Sequence, residues 1–137
     1  MIVRALDSSV LVASFAEWHE AHELAQRACK RRAHPIGHAL AETYSVLTRL
    51  PEPHRAGPTL VAEFLQQKAF GDPLVLDAAS TRALPSRLAE LGISGGATYD
   101  AVIALTARAH DAVLVSLDQR AAATYRRCGV RYELLAT

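Results

Sequence analysis

Residues 2–15 read IVRALDSSVLVASF, and this stretch decides the fold. Its first part, Ile2 to Leu6, is a short and mostly apolar run of the kind that forms a buried strand, and it stops on a carboxylate, Asp7. Ser8 and Ser9 follow, and the chain turns at once into a second apolar segment, Val10 to Phe15, which reads as a helix. A strand that feeds directly into a helix opens a crossover unit, and crossovers build parallel sheets. The charge at the junction raises a question. Asp is a favoured helix N-cap, but Ser8 can cap the same helix, so Asp7 has no structural need to be charged.

The same design recurs toward the C-terminus, where AVLVSLDQR (112–120) places Asp118 just beyond a second β-rich run, Ala112 to Ser116. Further strands are expected at Pro35 and Ile36, Leu74 to Leu76, and Arg131 to Leu134. Between them the helical period dominates, with stripes at Leu40, Tyr44 and Leu47, at Leu60, Phe64 and Leu65, and at Leu84, Leu88 and Leu91. Gly92 stands where the third helix needs a C-terminal cap, and Pro85 inside it leaves its start open. Strands alternating with helices predict an α/β sandwich, a central parallel β-sheet flanked by helices on both faces. Ligands in such folds sit beyond the carboxyl ends of the strands, where strand order reverses. Asp7 and Asp118 both belong to that edge.

Two more acids come from helices. In HALAETYSVLTRL (38–50) Glu42 lies opposite the Leu40, Tyr44 and Leu47 stripe and faces either solvent or a cleft. In GISGGATYDAVIALTARAHD (92–111) Asp100 occupies the first turn of an apolar helix, where the helix dipole favours an acid. Ala104 and Ala107 share its face, and their small side chains leave room for something to approach. Two carboxylates roughly 4 Å apart repel by about 4 kcal/mol at an effective dielectric near 20. Four in one cleft therefore call for raised pKa values or a cation. Oxygen ligands without matching histidine or cysteine select hard ions such as Mg2+ or Mn2+.

The chain as a whole limits the alternatives. Its 137 residues suit a single domain, 1–137, with a continuous core. The net charge of +1 gives no global attraction for nucleic acid or membrane. Thirteen of the fifteen basic residues are arginine, which suits phosphate or simply marks a solvated surface. Cys29 and Cys128 share no metal or redox spacing and read as reduced packing residues in a cytoplasmic protein, and the histidines read as solvent-exposed. No apolar run approaches the roughly twenty residues that span a bilayer, and no signal peptide fits before Asp7.

LDSSVLV, HALAETYSVLTRL, GISGGATYDAVIALTA and LVSLDQR, in this order and spacing, resemble the four signature segments of PIN-domain nucleases, most of all the VapC-type toxins of bacterial toxin–antitoxin pairs. The resemblance implies that Asp7, Glu42, Asp100 and Asp118 form an acidic, catalytic metal-binding cluster, with Ser9 and Ser116 in support. It further implies a Mg2+- or Mn2+-dependent endoribonuclease that cuts structured RNA, often tRNA or rRNA, to stop translation. Such proteins are usually homodimers held inactive by a cognate antitoxin. The departures are Ser8 and Ser116 where threonine is common, and Ala121 where an aromatic often follows the last acid.

Arg120, two residues past Asp118, is the expected RNA contact, with Arg126, Arg127 and the Lys30, Arg31 and Arg32 cluster as further candidates. The second helical segment, including Trp18 and His22, is either core or a dimer or antitoxin contact. Phosphoryl-transfer alternatives fit poorly: Ser9 stands where a haloacid-dehalogenase-like phosphatase needs a second Asp, and neither Lys30 nor Lys68 is placed for a receiver domain. The remaining alternative is a catalytically silent PIN-fold module that binds RNA or protein.

Overall fold

The structure is a computed structural model that describes residues 1–136; Thr137, the last residue of the expected domain, lies outside the described residues. In chain order the elements are β1 (Arg4–Leu6), α1 (Ser8–Phe15), α2 (His22–Cys29), β2 (His34–Pro35), α3 (Gly37–Arg49), α4 (Pro58–Leu65), α5 (Ala78–Glu90), α6 (Ala97–Ala109), β3 (Val113–Ser116), a 3-10 turn (Gln119–Ala121), α7 (Ala122–Cys128) and β4 (Tyr132–Leu134). The sheet order is β2-β1-β3-β4, and every pair is parallel. The chain leaves β1 for β2 on one side and returns to β3 on the other, so strand order reverses between β1 and β3. Right-handed crossovers put α1 and α2 on one face and α7 on the other. The core joins Leu6, Val10, Leu11, Ile36, Leu114 and Tyr125, all but inaccessible to water. No helix among the described residues is long and apolar enough to cross a membrane.

Leu74 to Leu76 is not a strand. Only Leu74 pairs, in a single parallel bridge with Ile36, through its N–H to the Pro35 carbonyl (2.9 Å) and its own carbonyl to the Gly37 N–H (2.8 Å). Pro73 has no N–H to extend the pairing, Val75 faces solvent, and Asp77 already caps the next helix. β1 likewise begins at Arg4, with Ile2 exposed.

Two helical stripes differ from expectation at one residue each, while Leu40, Leu47, Phe64 and Leu65 pack inward as expected. α3 buries Ala39, Thr43 and Leu47, while Tyr44 is exposed and Leu40 half-buried. α4 buries Val61 and leaves Leu60 exposed, with Phe64 set edge-on to Phe15 at 5.3 Å. At both points the buried residue is smaller than the exposed one beside it, Thr43 against Tyr44 and Val61 against Leu60, and α3 packs closely on α1, where a small side chain fits. The α5 stripe holds, since Leu84, Leu88 and Leu91 pack on the core. Asp77 sets the start of α5 by accepting from the Ser80 N–H (2.7 Å), so Pro85 lies well inside it. Gly92 closes the helix at φ 68°, a left-handed conformation that favours glycine.

Candidate active site

All four sequence-derived acids lie toward one edge of the sheet. Asp7 directly follows β1, and Asp118 lies two residues beyond β3. α3 starts at the carboxyl end of β2, and α6 runs back toward the amino end of β3, so the N-terminal halves of both helices, which hold Glu42 and Asp100, are at the carboxyl edge too. α1 also begins there, and the positive ends of these dipoles favour anions.

Asp7 is buried, and it is the N-cap of α1 after all: Oδ1 accepts from the Val10 N–H at 3.2 Å, so the expectation that Ser8 takes this task is corrected. The reason is geometric, because Asp7 holds the extended backbone of the cap while Ser8 is already helical. The Ser9 hydroxyl donates to the same Oδ1. Ser9 Oγ also accepts from the Leu117 N–H (2.9 Å) and lies 3.4 Å from Ser116 Oγ, which accepts from the Asp118 N–H (3.0 Å). The two serines thus tie the ends of β1 and β3 together across the reversal point. The second carboxylate oxygen, Oδ2, accepts from the Tyr125 hydroxyl at 2.9 Å. Burial raises the Asp7 pKa above the usual carboxylate range, and the nearby Ser116 hydroxyl together with the hydrogen bonds from Ser9, Tyr125 and Val10 opposes that rise. The Tyr125 hydroxyl is pushed strongly up, first by burial and then by the Asp7 charge.

Asp100 shows that the acids share one field. Its pKa is raised first by burial and then by the charges of Asp118, Glu42 and Asp7, while Arg120 pulls it down. Asp118 caps the 3-10 turn through the Arg120 N–H (3.0 Å), and Arg120 Nε stands 3.8 Å from the same oxygen on a side chain that is almost wholly in water. Contrary to expectation, Ala104 and Ala107 offer no opening; both are fully buried in the core.

A PIN-domain family model matches residues 4–127. The chain belongs to the PIN-domain family. It is 53% identical to Ribonuclease VapC40 of Mycobacterium tuberculosis over 131 residues, covering 96% of this chain and 98% of that protein. It is 44% identical to Ribonuclease VapC27 of the same organism over 133 residues, 96% of each. These matches make it a PIN domain of the VapC type. The fold is that of VapBC2 from Rickettsia felis, solved bound to a DNA fragment from their promoter: TM-score 0.66 at 15% identity, covering 98% of this chain and 100% of that one.

Among the described residues of this PIN domain, no three histidine, cysteine or acidic side chains are already grouped to hold one ion. The donor chemistry nevertheless fits a hard cation. The converging groups are carboxylates, and Asp100 is under repulsion from three others. Asp7 uses three of about four carboxylate acceptor sites on protein donors, which leaves one for a further ligand.

Other assignments change. Arg126 donates to the Tyr132 hydroxyl (2.8 Å), and Arg127 to the Gly92 carbonyl (3.4 Å). Lys30, Arg31 and Arg32 immediately precede β2 and so stand at the opposite, amino edge of the sheet, away from the acids. His22 and His19 are not free in solvent: His22 Nδ1 pairs with the Ala13 carbonyl (2.8 Å), and His19 Nδ1 accepts from the Ala21 N–H (3.0 Å). Trp18 precedes α2 in a turn, half-exposed against the His54 ring at 4.3 Å. Sequence reasoning missed Tyr125. Its only signal is membership of the Ala122, Tyr125 and Cys128 stripe of α7, which marks burial but not a carboxylate partner.

Proposed function

We propose that this PIN domain is a VapC-type endoribonuclease toxin that depends on Mg2+ or Mn2+ and cuts structured cellular RNA, tRNA or rRNA, to stop translation. The observation that carries this reading is the placement of Asp7, Glu42, Asp100 and Asp118 at the carboxyl edge of the sheet, where the Asp100 carboxyl is raised by burial first and then by the charges of the other three. Its closest support from relatives is that both mycobacterial proteins are named ribonucleases. Asp7, Glu42, Asp100 and Asp118 hold the metal. When bound, that ion activates water and stabilises the leaving oxygen of a phosphodiester.

The chain's own residues do the positioning. Ser9, Tyr125 and the Val10 N–H hold the Asp7 carboxylate in one orientation. Ser116 fixes the backbone at Asp118, and Arg120 reaches into solvent beside it as a contact for RNA phosphate. The partners are RNA, a cognate antitoxin protein and a second copy of the chain, acting in the cytoplasm; the likeness to the VapBC2 structure from Rickettsia felis supports the antitoxin.

The test is incubation of purified protein with total cellular RNA in magnesium, manganese or EDTA, with Asp100→Asn alongside and products mapped by end sequencing. Discrete cuts that need metal and vanish in the variant are expected. Cutting that survives EDTA and the substitution, or no cutting at all, returns the chain to a PIN-fold binding module.

A further inference from the structure

His38 and Tyr99 form an aromatic pair at the mouth of the acidic edge. Their rings lie within 7° of parallel with centroids 5.7 Å apart. His38 is on the first turn of α3, one helical turn before Glu42 and therefore on its face, about 6 Å further out along the axis. Tyr99 immediately precedes Asp100 on the first turn of α6. Two helices that each supply an acid thus each supply a ring as well.

The pair is not core. Tyr99 is 60% exposed, on a helix that otherwise buries Ala101, Ile103, Ala104, Leu105, Thr106 and Ala107. His38 is exposed too, and neither ring has a side-chain hydrogen bond among the described residues that would account for its position. A large aromatic held in water, next in sequence to Asp100 and paired with a ring one turn from Glu42, has little to gain from folding. It has much to offer a nucleobase, because every base presents a π-face and stacking needs no positive charge.

We infer that the His38–Tyr99 pair is a stacking platform for one unpaired base of the RNA, next to the phosphate that reaches the acids. The inference rests on the ribonuclease reading and adds a specificity to it. Bases inside a duplex have no free face, so the platform selects nucleotides in loops, bulges or single strands. It also gives RNA a foothold where the carboxylates repel its backbone and Arg120 is the nearby counter-charge.

The experiment measures fluorescence anisotropy of labelled oligoadenylate with the uncleaving Asp100→Asn protein, then adds Tyr99→Ala, His38→Ala or Tyr99→Phe. Steady-state cleavage by Tyr99→Ala is measured in the otherwise unaltered protein. The alanine changes should weaken oligoadenylate binding roughly 10-fold, and Tyr99→Phe should bind as the parent does. Tyr99→Ala should raise KM with kcat little changed, and an adenosine duplexed with oligouridylate should bind equally poorly to all variants. Because both rings are exposed, circular dichroism melts should overlay. Unchanged binding and KM in Tyr99→Ala, while the parent still cuts RNA, overturns the platform and leaves the ribonuclease standing. A parent that neither binds nor cuts RNA overturns both.

Discussion

Replacing Tyr125 by Phe removes one oxygen and nothing else, and the structure sets what that costs. Tyr125 and Asp7 are 2% and 3% exposed, so water cannot replace the lost donor. Asp7 Oδ2 has the Tyr125 hydroxyl as its donor, while Oδ1 keeps Ser9 and Val10. A hydrogen bond to an ionised acceptor contributes about 1.5–3 kcal/mol, and an orphaned buried acceptor forfeits most of that. The expected loss at neutral pH is therefore about 2 kcal/mol, a fall in Tm of roughly 5–10 °C for a chain of this size. Urea denaturation followed by circular dichroism measures it, with m unchanged.

Asp7→Asn supplies the control, since Asn caps helices as well as Asp and keeps the Oδ1 bonds. In that background the Tyr125→Phe cost should fall to about 1 kcal/mol, a coupling of about 1 kcal/mol between the two side chains. The pH dependence has a definite sign. Burial raises the native pKa of Asp7, so the folded protein binds more protons than the unfolded chain between the ordinary carboxylate value and the raised one. Stability contributed by this group is lost as pH rises through that window. Removing the Tyr125 hydroxyl, one of the groups holding the pKa down, should extend that window to higher pH and so enlarge the total loss, and Asp7→Asn should abolish it. A Tyr125→Phe protein within about 0.5 kcal/mol of the parent, or an equal loss with Asn at position 7, refutes the reasoning.

Thr43 is fully buried on α3, and its hydroxyl has no partner among the described residues, so Thr43→Val should stabilise by about 1 kcal/mol and raise Tm by a few degrees in a thermal melt. Asp100→Asn should raise Tm in EDTA by removing repulsion from Asp118, Glu42 and Asp7. Manganese should then raise the parent's Tm but move the variant's much less, because a ligand stabilises in proportion to its binding to the folded state. Equal manganese shifts in the two proteins count against Asp100 as a ligand.

Much of the frame was legible because it rests on local rules. Four of the five expected strands exist within a residue or two, since alternation of short apolar runs with helical periods is a property of the chain itself. The exception, Leu74 to Leu76, shows the limit: a run can be apolar enough for a strand and still find a neighbour for one residue only. The stripes of α3 and α4 hold at Leu40, Leu47, Phe64 and Leu65 but miss at Tyr44 and Leu60. Tyr44 and Leu60 are the larger side chains, yet Thr43 and Val61 are the ones buried, because the tertiary packing decides which face of a helix turns inward.

The sequence alone determined the residue types and their order: a carboxylate after the first strand, another after the strand that pairs with it, two more near the starts of helices, and serines spaced to serve them. Spacing carries that information because a strand end or a helix turn fixes where its neighbours point. Only the tertiary structure decided that Asp7 both caps a helix and takes a hydroxyl from Tyr125, 118 residues away. It also brought the His38 and Tyr99 rings parallel to one another and closed the space beside Ala104 and Ala107. Those contacts join parts of the chain that are distant in sequence, and no local propensity encodes them; they exist because the parallel sheet brings its carboxyl edge and the starts of its helices to one place.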